Sequence, residues 1–269
     1  MNKKLLQFAS MLLVAVCLCV NFTACGDDDD DVKKDGTEQG DAGPVGPVSG
    51  TENGYAWVDL GLPSGLKWAT CNIGAANPWD YGDYFAWGET APKSVYDWST
   101  YLDGRITDEE DCGTSKDLLN GITAINGTQY DAARANMGGS WRMPTTEEQR
   151  ELLNNCYWEW TDSYSGKGVK GFIVYKVKSA SDKGEVKYSG ESTATVGSYS
   201  LADPHIFLPA AGYRSSDLSG AGRLGYYWSS LNDGNYPFAA RFLAFYSDSR
   251  GCWIDSIRYF GQSVRAVVE

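Results

Sequence analysis

Glycine is the residue that most constrains the fold of this chain, with 31 glycines among 269 residues. Glycine destabilises the interior of a helix or a strand, whereas turns with positive φ favour it. Long helices are therefore excluded as the main material, and a loop-rich architecture is expected. The 42% of hydrophobic residues is enough for a real core, so the chain fits one globular domain, or one domain plus a tail.

The charge balance indicates which classes of binding partner are unfavourable for this chain. There are 35 acidic and 23 basic residues, which give a net charge of −12 and a pI near 4.6. Such a surface repels phosphates, so nucleic-acid binding is disfavoured. Aromatic residues are abundant, with 10 Trp and 17 Tyr, while histidine occurs only once.

Residues 1–24 have the pattern of a secretory signal peptide. Lys3 and Lys4 give a basic start, and the apolar stretch from Leu5 to Val20 is too short and too early for an ordinary membrane-spanning helix. It ends in Phe-Thr-Ala followed by Cys25, which resembles a bacterial lipobox. The resemblance implies cleavage before Cys25 and acylation of its thiol, because two or three acyl chains together give stable anchoring. The alternative is plain secretion with Cys25 as an ordinary cysteine.

An acidic run, Asp27 to Asp31, follows the cysteine directly. It resembles the surface-export signal of lipoproteins in the Bacteroidota, which implies an outer-membrane lipid anchor with the domain facing the medium. The alternative is a merely solvated run of charge. From Val32 to Gly50 the chain is rich in Gly, Pro, Asp and Ser, with few large apolar residues to bury. We therefore expect residues 25–53 to form a flexible tether that precedes a domain at 54–269.

Four cysteines lie beyond the predicted lipidation site: Cys71, Cys112, Cys156 and Cys252. An exported chain meets surroundings in which disulfides persist. Four cysteines allow three pairings, and spacing does not choose among them. Free buried thiols are the alternative. The wide spacing and the single histidine argue against a zinc site.

Beyond residue 54, strand-like segments surround two predicted helices. Residues 55–60 and 66–71 predict an opening hairpin around a Gly/Pro turn. One helix is predicted over 128–137, ended by two glycines, and the other begins after the capping box of Thr145 and Glu148. Further strand-like runs are 83–88, 157–161, 171–177, 205–209, 225–230, 238–245 and 263–268, whereas 89–127 is expected to be irregular. Early helices followed by short strands and long loops indicate an α+β domain.

Six ordered blocks of sequence resemble one bacterial family. They are VDLGLPSGLKWATCNIGA (58–75), YGDYFAWGET (81–90), WRMPTTEEQRELLNNC (141–156), FLPAAGYR (207–214), GYYWSS (225–230) and FGQSVRAV (260–267). Together they resemble the Fibrobacter succinogenes major paralogous domain family over residues 54–269. That family is similar to the C-type-lectin-like and formylglycine-generating-enzyme superfamily, which implies a C-type-lectin-like fold. Two helices, small antiparallel β-sheets and long loops are then expected. The family has no firmly assigned activity, so the resemblance implies a fold rather than a reaction.

The sequence offers little catalytic chemistry. Any Ser–His–Asp or Cys–His site needs His205, and its place just before an apolar strand predicts a core or strand-end role. The resemblance to formylglycine-generating enzymes implies a close cysteine pair, but Cys252 stands alone in the C-terminal third. The acids at 108–111 are expected to be a solvated loop run, and Glu159 with Asp162 lacks a partner that would raise a carboxyl pKa. We therefore expect no enzyme, no catalytic residue and no cofactor.

The segment from Trp228 to Asn235 is loosely comparable to the Trp-Asn-Asp element through which C-type lectins hold calcium. Only Asn232, Asp233 and Asn235 supply side-chain oxygens nearby, and calcium takes six to eight oxygen ligands. We therefore expect a turn built by Asn-Asp-Gly, and no metal site.

The predicted function is a non-catalytic, cell-surface binding or adhesion module for glycan or protein ligands. Loop aromatics suit both ligands, because Tyr and Trp combine apolar area with a polar tip. The candidate ligand-binding residues are Trp79, Tyr81, Trp98, Tyr101, Asn232, Asp233 and Tyr236. Each of these aromatics has core packing as its alternative. The alternative functions are a structural component of a surface complex and a surface hydrolase.

Overall fold

A computed structural model describes residues 46–192 and 197–269, apart from the side chains of 253–255. The predicted signal peptide, Cys25, the acidic run and most of the tether lie outside the described residues. Neither helix in the described ranges has the length and apolar character needed to cross a bilayer.

The N-terminal strands form a sheet with the last strand of the chain. The strands β1 (Gly50–Glu52), β2 (Tyr55–Asp59), β3 (Lys67–Ala69) and β13 (Val267–Val268) lie in that order, all antiparallel. The predicted opening hairpin is confirmed by the pairing of β2 with β3. Because β13 pairs with β3, the end of the chain closes onto its first hairpin. The strand β1 lies just before the predicted start of the domain.

The first helix, α1 (Ala132–Met137), is shorter than the predicted 128–137. Asp131 caps it, since its carboxylate accepts hydrogen bonds from the backbone N–H groups of Ala133 and Arg134. The same carboxylate accepts from the N–H of Met143, which fixes Asp131 outside the helix. The predicted glycine stop is confirmed, because the helix ends at Gly138 with φ 65°.

The second helix, α2 (Thr146–Asn155), begins as predicted. Thr145 Oγ1 accepts from the N–H of Glu148, and the Glu148 carboxylate accepts from the N–H of Thr145, so both halves of the capping box are present. Leu152 and Leu153 lie on its buried face.

Two further sheets follow α2. The first contains β4 (Cys156–Thr161), β5 (Gly171–Lys176), β6 (Val186–Lys187) and β7 (His205–Pro209), in the order β6-β4-β5-β7. Its pairs are antiparallel except β4 with β6, which is parallel. The second contains β10 (Gly225–Asn232), β11 (Ala239–Tyr246) and β12 (Ser249–Ile257), and a small hairpin of β8 (Tyr213–Arg214) and β9 (Leu218–Ser219) precedes it.

Two predicted strands differ from the structure, and one long strand was not predicted. The run at 83–88 makes only an isolated bridge, between Phe85 and Gln262. In the run at 263–268, the strand is limited to Val267 and Val268. The strand β12 was not predicted, because Ser, Arg, Gly and Asp in its sequence are weak strand formers. Its pairing with β11 holds it in the sheet.

The β10–β12 sheet lies between two hydrophobic cores. Successive residues of a strand face opposite sides, so Trp228 and Phe242 enter one core while Tyr227 and Leu243 enter the other. Gln149 of α2 donates to the Tyr227 and Trp228 carbonyls and so fastens the helix to this sheet. Two helices, small sheets and a long irregular stretch between β3 and α1 confirm the α+β class.

Two arginines, Arg142 and Arg265, join separate parts of the domain through side-chain hydrogen bonds. Arg142 forms a bidentate pair with Glu148 at 2.7 and 2.9 Å. Arg265 is 1% exposed and donates to the carbonyls of Ala69, Thr70 and Phe207 and to Asn72 Oδ1. These contacts connect the first hairpin, β7 and the C-terminal segment.

Candidate functional site

A chain of half-buried aromatic side chains forms the candidate site. We call it the aromatic row, and its members are Trp98, Tyr259, Phe260, Tyr213, Tyr226 and Tyr246. The ring centroids of successive members, from Trp98 to Tyr226, are separated by 4.8, 4.9, 5.2 and 5.2 Å. The hydroxyls of Tyr226 and Tyr246 are 3.2 Å apart. Each ring therefore contacts the next while keeping part of its own surface exposed.

Backbone pairing holds the row in place. Tyr226 lies on β10, directly opposite Ala244 of β11, and its ring is 5.0 Å from the buried Phe242 ring on the same face. Tyr259 and Phe260 form the turn after β12. Gly261 closes that turn by exchanging two backbone hydrogen bonds with Arg214 of β8, at 2.7 and 2.9 Å. Backbone hydrogen bonds thus fix the turn to β8, and strand pairing fixes the β10 and β11 segments that carry Tyr226 and Tyr246.

Close packing against the Tyr96 ring explains why a glycine, Gly261, follows Tyr259 and Phe260. A Cβ added at Gly261 would lie 2.6 Å from the Tyr96 ring, which is buried beneath the turn. A side chain at position 261 would therefore push the turn with Tyr259 and Phe260 outward.

Two phenols of the row, those of Tyr226 and Tyr259, stay uncharged at neutral pH. Burial raises the pKa of Tyr226, and the hydrogen bond with Tyr246 raises it further. Burial also raises the pKa of Tyr259, and the nearby charge of Asp97 adds to that effect. These two phenols are therefore neutral, hydroxyl-bearing contact groups on a protein of net charge −12.

Two predicted contact residues, Trp98 and Tyr101, lie in one loop with different exposures. Trp98 is half-buried and belongs to the row. Tyr101 is fully buried, and its hydroxyl donates to the carbonyl of Trp87 at 2.7 Å. The Tyr101 ring therefore offers no surface to a ligand and instead supports Trp98, whose centroid is 5.7 Å away.

Trp79 and Tyr81, also predicted as contact residues, are half-buried and lie elsewhere. The ammonium of Lys167 is 5.1 Å from the centroid of the Trp79 ring, and Trp79 packs against the small core of the β4–β7 sheet. Burial raises the pKa of Tyr81. In the described part of the chain, neither ring stacks on a member of the aromatic row, so the structure does not bring these predicted residues together with Trp98.

The predicted turn at 232–235 is present. Asp233 is 2% exposed and accepts from the N–H of Asn235 at 2.8 Å, while the Asn232 amide donates to the carbonyl of Ile122. Tyr236 is 51% exposed and contacts Phe238. Within residues 46–192 and 197–269, no three His, Cys, Asp or Glu side chains are grouped to hold a metal ion.

His205 is buried at the start of β7, which confirms its predicted role. The Asp203 carbonyl, 2.7 Å from Nδ1, can only accept, so Nδ1 carries the proton. Nε2 then accepts from the hydroxyl of Tyr164 at 2.9 Å. Because burial lowers the pKa of His205, the imidazole is neutral and fully bonded within the core.

All four cysteines of the described chain are free thiols, and no disulfide pairing is formed among them. The alternative of buried free thiols holds for Cys112 and Cys156, whereas Cys71 and Cys252 are half-buried. Burial raises the pKa of Cys156 and of Cys252 to about 12, and it also raises that of Cys112. These three thiols are thus poor nucleophiles at neutral pH.

Sequence reasoning missed five members of the row: Tyr213, Tyr226, Tyr246, Tyr259 and Phe260. One signal was available. Tyr226 and Tyr227 are neighbours on a strand, so their side chains face opposite sides of the sheet and cannot both pack into the same core. Nothing in the spacing of the other residues indicates that five separate segments converge.

Comparisons with known proteins give no match for this chain, whether with family models, curated proteins or solved structures. The function is therefore inferred from the chain's own residues and geometry.

Proposed function

We propose that this chain is a cell-surface lipoprotein whose C-type-lectin-like domain binds a glycan or protein ligand without altering it chemically. The aromatic row is the observation that carries the proposal. Half-buried Tyr and Trp side chains give a large, rigid and amphipathic contact area, and they lose little conformational entropy on binding.

The rigidity of the row supports a binding role. Its rings contact one another, and backbone hydrogen bonds hold their segments together. Such preorganisation lowers the entropic cost of binding a partner. The neutral phenols also avoid the repulsion that the acidic surface imposes on anionic ligands.

Two further features support the other parts of the proposal. The described α+β arrangement, with two short helices and small sheets, fits the C-type-lectin-like fold that the six sequence blocks imply. The lipobox-like sequence ending at Cys25 and the acidic run after it support an outer-membrane anchor with the domain facing the medium.

The test is a binding screen with the full chain purified from membranes in detergent. It is screened on a glycan array and against detergent-solubilised surface proteins, together with Tyr213→Ala and Tyr226→Ala. We expect each variant to weaken binding by about thirtyfold, the effect of a contact hot spot of about 2 kcal/mol. Tyr55→Ala is the control, since Tyr55 is 44% exposed but lies outside the row and was not predicted to contact a ligand.

Melting temperatures of all variants show whether the fold is retained. A wild-type chain that binds no glycan and no surface protein would contradict the proposal. Equal losses from Tyr55→Ala and Tyr213→Ala would show that the row is not the contact surface.

A further inference from the structure

An open groove of about 540 Å³ lies between the loop at 88–103 and the segment at 118–130. No member of the aromatic row lines it. Its volume falls within the range of small-molecule sites, about 300–1,000 Å³. Leu118, which is 41% exposed, and the half-buried Tyr130 give it apolar surface.

A strained stretch of backbone borders this groove. Leu102, Asp103 and Gly104 follow one another with φ of 47°, 58° and 73°. Left-handed backbone is unfavourable for residues other than glycine and normally occurs at single positions. Strained residues cluster at binding sites, where the surrounding structure holds them. Both Leu102 and Asp103 line the groove.

The surrounding contacts explain how the strain is maintained. Glu89 Oε1 accepts from the backbone N–H of Leu102 at 2.7 Å and from Lys93 Nζ at 2.9 Å. Lys93 Nζ also donates to the carbonyl of Thr100 at 3.0 Å. The Glu89–Lys93 ion pair thus fastens both ends of the loop and leaves neither charge unpaired.

Three polar side chains of the groove remain without a protein partner in the described structure: Thr90, Asp103 and Gln129. A threonine hydroxyl and a glutamine amide both donate and accept, whereas a carboxylate only accepts. A ligand that suits them must therefore carry several groups that donate and accept. The Asp103 carboxylate would repel an anionic ligand, and Lys93, the cation that lines the groove, is already paired with Glu89.

We propose that this groove is a second binding site, which takes a residue of a neutral oligosaccharide. The sugar hydroxyls bond to Asp103, Gln129 and Thr90, and the apolar face of the sugar ring packs against Tyr130 and Leu118. This site is separate from the aromatic row and does not depend on the row binding anything.

The test uses the full chain in detergent with neutral tetrasaccharides of glucose, xylose and mannose as probes. Calorimetry measures affinity, and hydrogen–deuterium exchange locates the site. We expect protection in peptides covering 88–104 and 118–130 on binding of at least one probe. Asp103→Gly should weaken that binding about tenfold or more, because it removes a charged hydrogen-bond acceptor. It should not lower the melting temperature, since glycine adopts left-handed backbone freely.

A matched pair of amides supplies the second measurement. Gln129→Ala should also weaken binding, whereas Asn120→Ala, an exposed amide of the same segment outside the groove, should not. Wild-type affinity in both Asp103→Gly and Gln129→Ala would overturn the proposal.

The outcome for the groove can be distinguished from that for the row. Protection confined to peptides with Tyr213 and Tyr226 would support the proposed function and overturn the groove site. Binding of tetra-arginine in the groove, with no response to any tetrasaccharide, would instead identify it as a site for basic peptides.

Discussion

His205 gives the chain a pH response that belongs to one residue. It is the only histidine, and burial lowers its pKa below the ordinary value of 6.5. Between the lowered pKa and 6.5 the unfolded chain binds a proton that the native imidazole does not, so the free energy of unfolding rises with pH there. We expect its contribution to be complete above pH 6.5 and to be lost as pH falls below that value. Urea unfolding at pH 7.5, 6.5 and 5.5 measures it.

The comparison with His205→Gln isolates this contribution, because carboxylates that titrate at lower pH are common to both proteins. We expect the difference in stability between wild type and variant to shrink as pH falls from 7.5 to 5.5. The contact geometry gives the reason, since a protonated Nε2 can no longer accept from the Tyr164 hydroxyl. A difference that stays constant across this range would show that His205 does not titrate on unfolding.

At the scale of single elements, the start of α2 offers the clearest prediction. Thr145→Ala removes the acceptor for the N–H of Glu148, and we expect it to lower the free energy of unfolding by about 1 kcal/mol. Thr145→Ser is the control, because it keeps the hydroxyl and should stay close to wild type. Denaturant midpoints measure both, and equal midpoints for wild type and Thr145→Ala would contradict the role of the cap.

The elements also show which parts of the fold follow from local sequence. The start of α2 was predictable because Thr145 and Glu148 lie within one turn and satisfy each other. The start of α1 was not, because a distant contact with Met143 fixes Asp131 as its cap. The strand β12 has weak strand formers and depends on its pairing with β11. Tertiary contacts decided the elements that sequence reasoning misplaced or missed.

The candidate site was even less predictable than the elements. Trp98 was predicted for a sound reason, since it is an aromatic residue in a long loop, but Tyr101 in the same loop is buried. The buried Tyr101 bonds to the carbonyl of Trp87, and the half-buried Trp98 packs against the ring of Tyr259. Both partners lie in other segments of the chain, so the local sequence does not show which ring is exposed. The row itself joins side chains from a loop, a turn and three strands, so no sequence window contains it.

At the scale of the whole molecule, the proposed anchor and the proposed export signal make separable predictions. Cys25→Ser should release the chain from the membrane fraction, because no acylated residue then holds it.

Replacing Asp27, Asp28, Asp29, Asp30 and Asp31 with Asn should leave the chain membrane-bound, but with its domain on the periplasmic side of the outer membrane. Protease treatment of intact cells measures this difference: wild type should lose its domain, and the Asn variant should be protected. If the Asn variant is cleaved as fast as wild type, the acidic run is only a solvated segment, and the outward orientation has another cause. Protection of wild type itself would place the domain in the periplasm, where the aromatic row would meet periplasmic partners instead of those in the medium.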